Sequence, residues 1–199
     1  AHNWQAMSVD AKSSMVYLPA QDNPLIYSIA DEYKKTGIYK RNPGRVNLGL
    51  EFGRITQLFL DNIESWPTPK GYLKAFNPLT GEESWSIEIP HYWNGGVVAT
   101  EGGLVFQGDA LGMFTAYDKD TGEQLWQFNT YTSMLAPPIT YEINGEQYVS
   151  ILTGTGGGDL FSGEPLDPVQ KPASLNYNNA GRLLVFKLNG TEELPQPNL

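Results

Sequence analysis

The sequence contains no cysteine. That excludes a disulfide, a thiolate-held metal and a covalently attached haem within this chain. Histidine is almost as scarce, with only His2 and His91 among 199 residues, so a Ser-His-Asp triad or a three-histidine metal site lacks the material it needs. Positive charge is short too: 13 Lys and Arg stand against 22 Asp and Glu, a formal charge of −9. Phosphate binding needs clustered Lys and Arg, so this balance argues against a nucleic-acid partner. The one basic cluster, Lys34, Lys35, Lys40 and Arg41, reads as solvated loop surface. No apolar run approaches the ~20 residues that span a bilayer, and the opening AHNWQAM has neither the basic nor the apolar region of a signal peptide. The chain reads as though cut from something longer.

What is present points to strands and turns. Hydrophobic residues make up 40% and aromatics 12%, enough for a packed core, and 21 Gly with 14 Pro suit a turn-rich β chain. Residues 75–85 (AFNPLTGEESW) and 116–126 (AYDKDTGEQLW) say the same thing 41 positions apart. They share Ala, Thr-Gly-Glu and the closing Trp, with Asn77 or Asp118 two places after the Ala. A period of this length suits a unit of about four short strands, the blade of a β-propeller. Inside each copy the Asx side chain can bond its own turn, and Gly81 or Gly122 can take a positive φ, so each copy reads as a hairpin. Further alternating runs at 14–19, 103–108, 147–152 and 181–188 read as strands. Asn144-Gly145 is a strong two-residue hairpin signal.

The expected architecture is therefore all-β: a partial propeller of about four four-stranded antiparallel blades, from about 2 to 66, 67 to 107, 108 to 154 and 155 to 190. The propeller-like domain covers 1–190, and 191–199 reads as a tail or linker. Residues 21–66 form a long insertion loop without sustained periodicity, and 155–180 form a second loop rich in Gly, Pro and Asn. Long loops on a rigid scaffold are either functional or packing insertions.

Three segments invite chemistry. Residues 92–96 (YWNGG) read either as an exposed indole beside accessible backbone, suited to a planar aromatic cofactor, or as a core Trp with turn glycines. Residues 154–158 (GTGGG) lack the Lys-Ser/Thr of a phosphate loop, which leaves a flexible turn or backbone approaching a flat ligand. His2-Asn3-Trp4 can be a strand start with a buried Trp.

Residues 93–108, 116–126, 136–141 and 147–149 together resemble the C-terminal part of the pyrroloquinoline quinone (PQQ) dependent alcohol dehydrogenases, and the repeats resemble that family's tryptophan-docking motifs. The resemblance implies the C-terminal half of an eight-bladed propeller, in a periplasmic and in some cases membrane-associated enzyme that oxidises alcohols to aldehydes. It implies PQQ held by calcium or a lanthanide, and electrons leaving singly to a cytochrome c. It places Asn3 against the quinone, Trp93 at the cofactor edge, and the backbone of Gly157 and Gly158 beside PQQ. The Trp-Asn-Gly-Gly form and the Pro-ending tail resemble the quinohaemoprotein type, which carries an added cytochrome domain. No segment matches the family's base aspartate, metal ligands or adjacent-cysteine disulfide, so no catalytic residue and no metal ligand is assigned here. The missing N-terminal half is the expected partner, and the chain alone is expected to be inactive. The other reading is a non-catalytic propeller that serves as a binding or assembly scaffold; an upstream sequence with about four further blades would separate the two.

Overall fold

The computed structural model describes residues 1–41, 43–44, 47–154, 173 and 181–195. Two compact units emerge, residues 24–68 and the remainder. Among the described residues, the larger unit holds three antiparallel sheets. The first contains β1 (Ser8–Asp10), β2 (Met15–Asp22), β3 (Lys70–Asn77) and β4 (Glu82–Ile89), paired in chain order. The second repeats that order with β5 (Val97–Ala99), β6 (Leu104–Gly108), β7 (Met113–Asp118) and β8 (Gln124–Asn129). The third has β9 (Ile139–Ile143), β10 (Glu146–Thr153) and β11 (Arg182–Lys187), with β10 in the middle.

Among the described residues the sheets number three, against about four expected units, the last of which (155–190) lies largely outside those residues. Strand β2 pairs with β3 across the whole of residues 24–68, so runs expected in the first two units belong to one sheet. Each Trp repeat closes a sheet as its last hairpin rather than opening one. In both copies the Ala lies opposite the Trp, Ala75 to Trp85 and Ala116 to Trp126, and both ladders shift register immediately after the Ala.

The sheets stack face to face. Tyr17, Leu73, Ala75 and Ile89 of the first sheet pack with Val97, Val105 and Tyr117 of the second. The neighbouring positions Phe106, Phe114 and Ala116 turn the other way and pack with Met134, Val149 and Ile151. Successive strand residues face opposite sides, so the near-continuous apolar run of β6 follows from its sheet being covered on both faces. Each large side chain buried this way contributes roughly 1.5–3 kcal/mol.

The Asn144-Gly145 hairpin forms as expected, with φ of +53° and +82°, the double left-handed geometry of a tight two-residue turn. Residues 24–68 differ from expectation. They hold α1 (Asp31–Thr36), α2 (Phe52–Asp61) and a short 3-10 turn (Ile63–Ser65), so the chain is mostly rather than wholly β. Phe52, Ile55 and Phe59 recur at helical spacing along α2; no residue of either α-helix is fully buried.

Candidate functional site at the convergent ends of three sheets

Strands β1, β5 and β9, each at one edge of its sheet, are each preceded by a short irregular segment: residues 1–7, 90–96 and 130–138. Backbone hydrogen bonds tie each of these segments to neighbouring strands and turns. The Val97 amide donates to the Ala6 carbonyl at 3.0 Å, Gly95 to Gly108 at 2.9 Å and Gly154 to Ser133 at 2.8 Å. A parallel bridge joins Met134 to Gly154.

Close approach is possible only because of the paired glycines. A Cβ on Gly95 would stand 2.8 Å from the Gly108 carbonyl oxygen, and one on Gly96 would stand 2.9 Å from the Ala6 nitrogen and 2.8 Å from Pro137. Any side chain there would push the segments apart. Asn94 fixes the same loop from within: its Nδ2 donates to the His91 carbonyl, and its Oδ1 accepts the Ala110 amide at 3.3 Å. His91 is buried, and its Nδ1 accepts the Trp93 amide at 3.0 Å while its ring stacks on Tyr92.

This scaffolding sets two indoles against each other. Trp4 and Trp93 meet edge to face with ring centroids 5.8 Å apart, a favoured aromatic geometry. Their exposures differ sharply: Trp93 is only 6% exposed, clustered with Tyr92 and Leu135, whereas Trp4 is 59% exposed. The core reading of Trp93 and its turn glycines is therefore correct as to burial. Trp4, expected to be buried, is the indole that faces solvent, and β1 starts only at Ser8. Asn3 is exposed beside it, with its Oδ1 accepting the Trp4 amide at 2.9 Å. His2 anchors this segment by donating from Nδ1 to the Pro19 carbonyl at 2.7 Å.

Of the residues singled out from the sequence, Asn3 and Trp93 are brought to the same end of the stacked sheets through Trp4. Gly157 and Gly158 lie outside the described residues. The signal that could have revealed Trp4 is its place in the segment leading into the first strand of a sheet, the position Trp93 occupies one sheet later.

Behind this wall, the β6–β7 turn carries a buried carboxylate. Asp109 accepts the Met113 amide at 2.8 Å, and its backbone carbonyl takes the Gly112 and Met134 amides. Burial pushes its pKa up to about 6, against the opposing pull of the Met113, Leu111 and Gly112 backbone donors. Desolvation likewise pushes the Tyr117 hydroxyl up to about 12. Among the described residues, no group of three His, Cys, Asp or Glu side chains could hold a metal ion, and no helix is long and apolar enough to cross a membrane.

Over residues 52–149 the chain matches the family described as glucose/ethanol/alcohol dehydrogenase, beta-propeller domain (PQQ). It is 36% identical over 200 residues to quinohemoprotein alcohol dehydrogenase ADH IIB of Pseudomonas putida, covering 99% of this chain and 26% of that protein. With quinohemoprotein alcohol dehydrogenase of Comamonas testosteroni the identity is 40% over 157 residues, 79% of this chain and 22% of that protein. Among solved structures, quinohemoprotein alcohol dehydrogenase ADHIIG of Pseudomonas putida superposes with a TM-score of 0.76 at 29% identity, covering 100% of this chain and 28% of that one.

Proposed function

We propose, from the premise that this chain belongs to the PQQ-dependent alcohol dehydrogenase family and spans about a quarter of the length of the relatives it matches, that it supplies one wall of the cofactor funnel of a periplasmic alcohol-oxidising quinoprotein. The observation that carries this reading is the contact between Trp4 and Trp93 at 5.8 Å. It sets the exposed amide of Asn3 and an exposed indole at the place where three sheets converge.

The residues present fit such a group. A planar, carbonyl-bearing ligand asks for aromatic surface and for an amide able to donate or accept, and the Trp4–Asn3 pair offers both. Asn3 would hold a quinone oxygen through its side-chain amide, Trp93 would meet the cofactor edge, and the backbone of Gly157 and Gly158 would pass beside it. When bound with its calcium or lanthanide ion, PQQ supplies an electrophilic quinone that takes the hydride of the alcohol. The work left to this chain is to bind, orient and exclude water. The base that takes the alcohol proton, and the metal ligands, fall to the remainder of the propeller, completed as eight blades with tryptophan-docking contacts between neighbours. A cytochrome c takes up the electrons.

The test is complementation. A relative from which the matched quarter has been removed is mixed with this chain, PQQ and calcium, and alcohol-dependent dye reduction is followed. Activity is expected in the mixture and in neither part alone; an inactive mixture whose parts do associate would refute the reading.

A further inference from the structure

We infer that His91 is the positioning residue of Trp93 and holds it only while the imidazole is neutral; this deepens the funnel reading above and rests on it. His91 Nδ1 accepts the Trp93 amide at 3.0 Å, so the ring is the neutral Nε2–H tautomer. The same contact, a side-chain acceptor on the amide two residues ahead, recurs at Asp10, Asn77, Asp118 and Asn129. In those four places the acceptor is Asp or Asn and the contact is exposed, so water replaces it at little cost. At Trp93 the acceptor is a histidine only 3% exposed, and a buried amide that loses its partner carries the full desolvation penalty.

Histidine is the side chain that changes charge between pH 5 and 8. A proton added to Nδ1 turns the acceptor into a donor, and two N–H groups then face each other. Residue 91 itself is fixed. Its carbonyl accepts Asn94 Nδ2 and stands where a Cβ on Gly71 would collide, and its ring stacks on Tyr92 with centroids 4.9 Å apart. What yields is the Trp93 backbone, and with it the indole that meets Trp4. Among the described residues, the titratable groups on the elements packed around this corner are few. They are Tyr92, Asp109 in the turn whose Ala110 amide Asn94 holds, Tyr131 in the segment that sets Leu135 on Trp93, the Lys70–Glu88 pair beside Gly71, and His2 on the Pro19 carbonyl. Burial pushes the Tyr92 hydroxyl further above neutral pH, so it stays protonated throughout. Asp109, pushed up to about 6, changes charge in the same window and needs its own control.

The experiment uses the 199-residue chain with isotope-labelled tryptophan. The backbone amide of Trp93, assigned by its loss in Trp93→Phe, is followed by NMR from pH 8 down to 5. Its hydrogen-exchange protection is expected to fall about tenfold on the acid side. The midpoint is expected to coincide with that of the His91 ring resonances, a comparison that needs no substitution at His91. His91→Asn supplies an Oδ1 for the same amide, as Asn129 does for Tyr131, and is expected to keep the protection level across the range. His2→Asn and Asp109→Asn are expected to leave the parent profile in place. A level profile in the parent, one that persists in His91→Asn, or one abolished by Asp109→Asn overturns the inference. In the complemented assembly, PQQ affinity is expected to weaken toward pH 5 more steeply in the parent than in His91→Asn; equal slopes overturn the positioning role. An assembly that binds no PQQ at any pH contradicts the funnel reading alone, because the Trp93 profile is measured without cofactor.

Discussion

The indole Nε1–H of Trp85 donates to the backbone carbonyl of Lys119 at 3.0 Å, crossing from the last strand of the first sheet to the closing turn of the second. The same ring lies against Gly122, where a Cβ would stand 3.0 Å from two ring carbons. The Trp of one repeat therefore docks on the Gly of the next, so the contact joins two copies of the 41-residue repeat. The seam between the second and third sheets is built differently. Residues 185–195 (VFKLNGTEELP) follow the same pattern but carry Thr191 where Gly122 stands and Pro195 where Trp126 stands. Trp126 accordingly packs on Phe114, Phe128 and Phe186 and remains 39% exposed.

Gly122→Ala is expected to destabilise the chain by about 2–3 kcal/mol, combining a positive-φ penalty with a clash against Trp85. Gly81→Ala is the matched control. Its φ is +78°, close to the +76° of Gly122, but nothing lies within 4 Å of the added carbon, so about 1 kcal/mol is expected. Urea denaturation of the two variants separates the docking contact from the backbone cost.

Trp85→Phe removes a cross-sheet hydrogen bond and is expected to cost about 1–3 kcal/mol. Trp126→Phe, at a position with more solvent contact, is expected to cost under about 1 kcal/mol. Equal losses by thermal denaturation would show that the two seams do not differ as described.

Asp109 makes the acid limb of stability distinctive. Its folded pKa of about 6 lies above the ordinary 3.8, so the folded state holds the proton more tightly. Stability from this group is therefore greatest below about pH 4 and declines as pH rises through 6. Asp109→Asn is expected to abolish this slope between pH 4 and 6, because the amide does not titrate and its Oδ1 still accepts the Met113 amide. Denaturation midpoints across that range, compared with the parent chain, are the measurement.

Asp10 and Lys119 act in the opposite sense. Their 2.7 Å ion pair, with side chains only 13% and 18% exposed, joins the first sheet to the turn that receives Trp85. The Lys119 ammonium, with the Lys12 amide and Ser13 hydroxyl, holds the Asp10 carboxyl well below its usual range. This stabilisation is present above the ordinary carboxylate pKa and is lost as pH falls below it. A double-mutant cycle on Asp10 and Lys119 is expected to give a larger and less salt-sensitive coupling than one on the Lys12–Glu101 pair, whose side chains are 73% and 83% exposed.

Legibility in the sequence tracked how local the cause was. The Trp hairpins and the Asn144-Gly145 turn depend on residues within a dozen positions of each other, and they formed as read. The sheet count depended on β2 finding β3 across residues 24–68, a pairing that no local pattern encodes. The helices of that segment were missed because they are short and begin at Ala30 and Glu51 with no side-chain cap hydrogen bond, leaving no start signal of the usual kind. At the site, the Trp-Asn-Gly-Gly segment and the family resemblance marked Trp93, and the resemblance alone marked Asn3, but burial is a tertiary property. Only the convergence of three sheet ends decides that Trp93 is covered and Trp4 is open.

The central claim is that Asn3 and Trp93 face the cofactor, and PQQ affinity in the complemented assembly tests it most directly. Equilibrium titration is expected to show at least about tenfold weaker binding for Asn3→Ala and a smaller loss for Trp93→Phe, consistent with one lost hydrogen bond to a polar ligand of roughly 1.5 kcal/mol. An assembly that binds PQQ with unchanged affinity after Asn3→Ala would contradict the account.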